Sequence, residues 1–312
     1  MQYDPVLPYE AAAVKNENTT IQEYSMKKQL TSQASKKSGF TLIELSIVLV
    51  IIGLIVGGVL VGQDLIKAAE VRATVGQYEK TNAAINTFRT KYNGIPGDLA
   101  EAQAGAFGLF DTGMTGATGL GDGNGLIQGD GGAADQAGEP LVFWRHLSDA
   151  SLVDGNYGSA LASGGLAGAN VTAASAPTYA PAAKIGRGNI WLAGAASGLN
   201  YYLLSGVTAI TAATGALTTA AQLTPIEAFN IDVKVDDGAP NTGTVQARGT
   251  DTDEGLFLTL AVGNGGVISA AGAEVAGDCL LGDGGVTDLT NTYSRGSVAG
   301  NSPGCMLRMR FN

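Results

Sequence analysis

The sequence predicts an α+β protein in which one long N-terminal helix, its first half of membrane-spanning length, packs on a mainly antiparallel β-sheet head. Three observations carry this. Residues Phe40 to Gly62 form an apolar run broken by a single charge, Glu44. Its 23 residues make about 34 Å of helix, enough to cross a bilayer's hydrocarbon core. Next, Leu65, Ala68, Val71, Val75, Tyr78, Ile85, Phe88 and Tyr92 recur at spacings of three, four and seven, one helical face. Beyond Gly94 the apolar segments become short or alternate, between Gly-rich turns.

The first two patterns predict one continuous helix from Phe40 to about Tyr92, roughly 80 Å long. Asn93-Gly94-Ile95-Pro96 stops it, with Gly near the C-cap and Pro beyond. Between Phe40 and Ile95 there is no proline. Gly53, Gly57 and Gly58 are the weak points, each costing about 1 kcal/mol of helix stability. They mark either a stretch that unwinds on assembly or a place for close helix packing.

In the head, residues 94–312, five segments read as strands: Ile190–Leu192, Tyr201–Leu204, Phe229–Val235, Leu256–Leu260 and Cys305–Phe311. Glu139–Ala150 reads as a short amphipathic helix. Stretches 103–135, 155–189 and 205–222 read as loops long enough to imply function or mobility. The head's 219 residues suffice for a single core. The chain carries a net charge of −10, which argues against nucleic-acid backbone binding and leaves no nucleic-acid partner expected. Arg295, Arg308 and Arg310 cluster late and read as a solvated C-terminal strand edge.

Lys27, Lys28, Lys36 and Lys37 precede the apolar run, so the positive-inside rule places residues before Phe40 in the cytoplasm and those after Gly62 outside. The junction Lys36-Lys37-Ser38-Gly39-Phe40-Thr41-Leu42-Ile43-Glu44 resembles the processing site of type IV prepilins and type II secretion pseudopilins. An ordinary signal peptide is cut after its apolar stretch; here the matching junction lies before it, so the helix stays with the mature protein. The resemblance implies a type IV pilin-like fold, cleavage after Gly39 by prepilin peptidase and N-methylation of Phe40. It divides the chain into a leader (1–39), a membrane or filament-core half-helix (40–62), an amphipathic half-helix (63–93) and a periplasmic or extracellular head (94–312). Met26 would begin a shorter, more usual leader, MKKQLTSQASKKSG, with residues 1–25 an upstream-start artefact or a dispensable extension.

A carboxylate inside such a run costs roughly 2.5–3.5 kcal/mol on insertion scales and asks for a partner. The resemblance implies that Glu44 meets the Phe40 amine of a neighbouring subunit during assembly; pairing relieves the cost of both charges. A tolerated lone Glu near a helix end is the blander alternative. The implied partners are homologous pilin subunits, prepilin peptidase and an inner-membrane assembly platform. The implied location is a single-pass inner-membrane precursor, N-in and C-out, that moves to a periplasmic or cell-surface filament.

Cys279 and Cys305 both fall in the exported part, where a disulfide is the default. Two buried free thiols or a metal pair are the alternatives, and a two-Cys zinc site would lack ligands in a chain whose single histidine is His146. Gly121-Asp122-Gly123-Asn124-Gly125 resembles half of a calcium loop, but Ala133 holds the twelfth position, so the EF-hand reading fails. A looser calcium site from Asp111, Asp122, Asn124 and Asp130 competes with an ion-free Asx-turn loop; no other cofactor is expected. Asp232-Val-Lys-Val-Asp-Asp-Gly resembles a strand-plus-turn segment of prepilin-like heads. His146 reads as a helix-surface or packing residue. No nucleophile elbow, phosphate loop or dinucleotide fingerprint is visible, and the expectation is not an enzyme.

Three function classes follow. A head of this size tilts the reading to a minor or specialised subunit of a type IV pilus-like filament. The alternatives are a type II secretion pseudopilin, for which the retained Glu44 argues against the tip position, and a membrane-anchored adhesin or binding module.

Overall fold

The computed structural model describes residues 39–111, 116–117, 119–129, 136–158, 161–162, 165–166, 170–196, 198–211, 215, 217–248, 268–269, 279–281, 292–296 and 302–311. The predicted strand at 256–260 lies outside these residues. The chain divides into two compact units, residues 1–61 and 62–312.

Helix α1 spans Leu42–Tyr92, 51 residues without a break. In the first unit, apart from Glu44 and Ser46, its side chains are apolar on every side, and the large ones are exposed, from 88 % at Leu42 to 50 % at Ile51 and Ile52. Gly53, Gly57 and Gly58 sit within the helix, and a Cβ at any of them would meet nothing within 4 Å.

In the second unit α1 becomes one-sided. Val71, Val75, Tyr78, Ile85, Phe88 and Tyr92 are buried, together with Thr74, Thr81 and Ala84. Leu65 and Ala68, which the periodicity also assigns to this face, are exposed, so the packed face starts at Val71. The helix ends where Asn93 turns left-handed, φ 54°, a conformation Asn tolerates better than most residues.

Six strands form the main sheet: β1 (Val171–Thr172), β2 (Asn189–Ala196), β3 (Leu199–Ile210), β4 (Leu217–Ala220), β5 (Val245–Arg248) and β6 (Met306–Arg310). All pairings are antiparallel. β3 is the hub. It pairs β2 along Leu199–Gly206 and β1 at its far end, while β6 and β4 share the opposite edge. β6 lies between β3 and β5, with Leu307 opposite both Leu204 and Ala247. The core forms between this sheet and α1: Tyr78 stacks near Trp191 and meets Tyr202 edge-on, and its hydroxyl donates to the Arg310 carbonyl at 2.8 Å.

Two short helices, α2 (Glu101–Ala106) and α3 (Glu139–Asp149), follow α1. α3, legible from its period, buries Leu141, Phe143, Trp144 and Leu147 and packs on β2. α4 (Pro225–Val235) corrects the strand expected at Phe229–Val235. The alternation of Phe229, Ile231, Val233 and Val235 imitates a strand. Upstream, however, Thr224 and Glu227 form a reciprocal capping box with Pro225 in the first turn. That start fixes helical geometry before the alternating residues are reached. Loop expectations are corrected too: β3 continues to Ile210 and β4 takes Leu217–Ala220.

The late arginines are not a solvated edge. β6 is an interior strand, and Arg308 is fully buried, with its guanidinium 4.3 Å from the Tyr201 ring and hydrogen-bonded to Gln246. Arg295 is exposed over the Phe229 ring, and Arg310 is half-buried. Tertiary cover, which local spacing does not encode, removes Arg308 from water.

Candidate functional site

Gly39 and Phe40 precede α1 and are exposed, with Phe40 88 % open to its surroundings. Thr41 caps the helix and Glu44 completes the box. The Thr41 hydroxyl oxygen accepts from Glu44 N–H at 3.3 Å, while a Glu44 carboxylate oxygen accepts from Thr41 N–H at 2.8 Å and from its hydroxyl at 2.9 Å. Thus the one charge of the apolar run serves its own helix terminus, where a carboxylate also meets the positive end of the helix dipole. Sequence reasoning singled out Glu44 for a partner in another subunit and missed Thr41. The T-x-x-E spacing was the available signal.

The most apolar 18-residue window of α1 has a mean hydropathy of 2.9 and no buried residue. Soluble monomers rarely expose an apolar patch of this extent. A membrane or other copies of such a helix would cover it.

The second unit holds its part of α1 by specific bonds as well as packing. Gln77 spans a gap, its amide donating to the Ala182 carbonyl at 3.0 Å and its oxygen accepting from Lys184 N–H at 3.2 Å. Near the helix end, Gln103 donates to the Tyr92 carbonyl at 2.7 Å. His146 is fully buried beneath Phe88, their ring centroids 6.1 Å apart. Nδ1 accepts from Gly97 N–H at 2.9 Å, so Nε2 carries the proton it shares with the Phe110 carbonyl at 2.7 Å. Burial pushes its pKa down to about 4 against the pull of that carbonyl. His146 is a neutral clamp between two loops, which answers the packing reading and corrects the helix-surface one.

The Asp122 loop gathers carboxylates from three parts of the chain. Ligand oxygens of Asp98, Asp122 and Glu139 lie within 4.8 Å of one another. Asp98 accepts from Gly123 and Gly125 N–H, both at 2.7 Å, and Glu139 from Gly121 and Gln128 N–H, both at 2.8 Å. Burial raises Glu139 to about 8, opposed by the Gln128 and Gly121 donors and reinforced by Asp98 and Asp122. Burial likewise raises Asp98 to about 6, opposed by its two backbone donors, with Asp122 adding to the rise. Of the residues predicted to hold calcium, Asp122 is in this group. Asn124 braces it, donating to Asp122 at 2.8 Å and to Gln128 at 2.8 Å. Asp111 is instead directed at Gly105 on α2. Asp130 lies outside the described residues. Asp98 and Glu139 were missed because they are 41 positions apart and each had a local explanation, as a turn residue and a helix start.

A second acidic group, Asp232, Asp236 and Asp237, straddles the C-terminal end of α4. Asp232 accepts from Tyr293 at 2.7 Å and from Gly238 N–H at 3.2 Å, which joins α4 to the Thr292–Tyr293 strand. The strand-plus-turn likeness is therefore a helix end and turn. Cys279 and Cys305 form a disulfide that ties the Leu280–Leu281 strand to the start of β6.

With this geometry in view, the comparisons fall on one place. The model of the prokaryotic N-terminal methylation motif matches residues 34–60, the span that holds Gly39, Phe40, Glu44 and the apolar half of α1. That is the prepilin-type motif of type IV pilins and pseudopilins, and over these residues it supports a pilin- or pseudopilin-like reading of the chain. The motif implies processing by prepilin peptidase, assembly with other pilin subunits and a membrane-anchored precursor. No curated protein and no solved structure matches the chain.

Proposed function

We propose that the chain is a minor or specialised subunit of a type IV pilus-like filament. It is cut between Gly39 and Phe40, N-methylated at Phe40 and assembled through α1. The observation that carries this reading is a matched methylation motif leading into an uncovered apolar helix whose only charge, Glu44, sits within one turn of the new amine. Cleavage releases the Phe40 amine as a cation. In a low-dielectric filament core that cation and the Glu44 carboxylate of a neighbour relieve each other's desolvation. The precursor is N-in, C-out in the inner membrane, and an assembly platform there draws it into the filament. The large head supports a specialised rather than a bulk role. Intact mass and N-terminal sequencing from cells with and without prepilin peptidase test the processing step. A mature chain beginning at methylated Phe40 only with the peptidase is the expected result. A chain of unchanged mass in both strains would remove the proposal. Abundance in sheared surface filaments against the inner membrane then separates a pilus subunit from a secretion pseudopilin.

A calcium ion at Asp98, Asp122 and Glu139 is a second proposal, favoured by the crowding of three carboxylates, an all-oxygen donor set that suits a hard cation. Asp98 and Glu139 would hold the ion with their remaining lone pairs, and it would supply charge neutralisation. Thermal melts in millimolar calcium against a chelator decide it: a higher Tm in calcium, abolished by Asp122→Ala, supports the ion, and coincident melts discard it.

A further inference from the structure

We propose that the cleft between the Asp64–Arg72 part of α1 and α4 seats the phosphate headgroup of an anionic phospholipid. The lipid belongs to the outer leaflet of the membrane that holds the precursor. The inference rests on the anchored-precursor reading but not on filament assembly.

The cleft has a volume of about 520 Å³, and four cations line it: Lys67 and Arg72 from α1, Lys234 from α4, and Arg187 from the turn between β1 and β2. Arg187 and Glu227 already neutralise each other as an ion pair. Arg187 also donates to the Gln222 carbonyl at 3.1 Å, and Glu227 accepts the Thr224 N–H at 2.9 Å, so both are fixed in place. Lys67, Arg72 and Lys234 form no ion pair among the described residues. Asp64 is the remaining acid of the lining. The cleft therefore has an excess of positive charge in a chain whose net charge is −10.

The turn that delivers Arg187 is unusual. Gly186, Arg187 and Gly188 are all left-handed, with φ of 75°, 54° and 76°. A large non-glycine residue adopts that conformation only where its surroundings hold it. Here the pairing with Glu227 does so, and it sets the far wall of the cleft opposite Lys67.

Position selects the ligand. Along the helix Lys67 and Arg72 come roughly 8 and 15 Å after Gly62, the end of the membrane-length run. The polar zone of a leaflet is only about 5–8 Å deep, so Lys67 falls at its edge and Arg72 beyond it, within reach of a long side chain. Leu65 and Ile66, on the turn between, are 67 % and 60 % exposed. A shallower hollow of about 360 Å³ shares Lys67 and Arg187 with the cleft and adds Ile66 and Ile185, with the acid Glu70 at its wall, so the phosphate belongs in the cleft and the aliphatic part of the lipid in the hollow. Cations for a phosphate next to uncovered aliphatic side chains for a glycerol and acyl chain match a lipid rather than a free anion.

The test uses the full-length chain in mild detergent, followed by native mass spectrometry with added phosphatidylglycerol, phosphatidylcholine or inorganic phosphate. Wild type is expected to retain one phosphatidylglycerol and no phosphatidylcholine. The triple variant Lys67→Gln, Arg72→Gln, Lys234→Gln loses retention by about a hundredfold, each cation counting for roughly fivefold. Lys91→Gln, a cation of the same helix outside the cleft, leaves retention unchanged. An unaltered melting temperature in the triple variant separates loss of ligand from loss of fold. Equal retention by wild type and triple variant overturns the proposal. So does binding of inorganic phosphate without the lipid, which reassigns the cleft to a free anion. Carbodiimide crosslinking of Lys67 to a carboxylate of a second copy in membranes, with no lipid retained, overturns it in favour of a subunit contact. A chain that never enters the membrane fraction removes the anchored reading itself, whereas an anchored chain without lipid preference removes this inference alone.

Discussion

Glu139 begins α3 fully buried, with both carboxylate oxygens facing backbone N–H groups. Its pKa of about 8 lies above the ordinary carboxylate value of 4.5. Because the folded protein holds this proton more tightly than the unfolded chain, its contribution is complete below about pH 4.5 and is lost as pH rises through about 8. Chemical unfolding followed from pH 5 to 8 should show stability falling by about 1 kcal/mol per pH unit from this group. Glu139→Gln should remove that slope. It should also cost about 2 kcal/mol at pH 5, since its amide N–H would oppose a backbone N–H. His146 acts in the opposite sense. With its folded pKa lowered to about 4, its contribution is complete above about pH 6.5 and is lost as pH falls. Replacement by Ala orphans the Gly97 N–H and the Phe110 carbonyl and leaves a cavity under Phe88, so a loss of about 3 kcal/mol in thermal or denaturant unfolding is expected. Neither residue could be assigned these roles from sequence. A lone histidine on a short helix and a glutamate at a helix start each had a sufficient local reading, and their partners lie 49 and 18 positions away.

Among the elements, legibility followed how much of the deciding information was local. The apolar run of α1 and the 3.6 period of α3 are local, and both helices were read to within a residue or two. α4 was misread because its alternating apolar residues hide a helix that Thr224, Pro225 and Glu227 initiate just upstream. Thr224→Ala removes that cap and should destabilise the second unit by about 1 kcal/mol, measurable as a lower denaturation midpoint. β6 was read as a strand, but its interior position was not legible, because two pairing partners from distant segments create it. The disulfide closes a separation of 26 residues. On the chain-entropy model, Cys279→Ser with Cys305→Ser should cost about 3.5 kcal/mol, checked by comparing melts of the variant with those of the oxidised and reduced wild type.

For the whole molecule, the two units have opposite surface chemistry. One exposes an unbroken apolar helix and the other keeps its aromatic core of Tyr78, Trp144, Trp191 and Tyr202 inside. An uncovered apolar helix beside a unit with its own core is a division that suits the filament subunit proposed above. Glu44→Ala should leave both the head's melting temperature and cleavage at Gly39 unchanged while reducing recovery in sheared filaments at least tenfold. An equal yield of filaments would mean that Glu44 serves only the Thr41 cap.

The central place of β6 in the sheet sets a timetable for the cell. The membrane helix is synthesised first, but the strand that joins β3 to β5 is completed only by residue 310, whose carbonyl receives the hydroxyl of Tyr78 across 232 positions. Until then the Tyr201–Leu204 part of β3 has one edge unfilled, a template for wrong pairing. A chain interrupted before Cys305 has neither a finished sheet nor the disulfide. Closure of the sheet thus waits on a segment more than two hundred positions beyond the helix it packs against, and a copy lacking that segment keeps an open β3 edge.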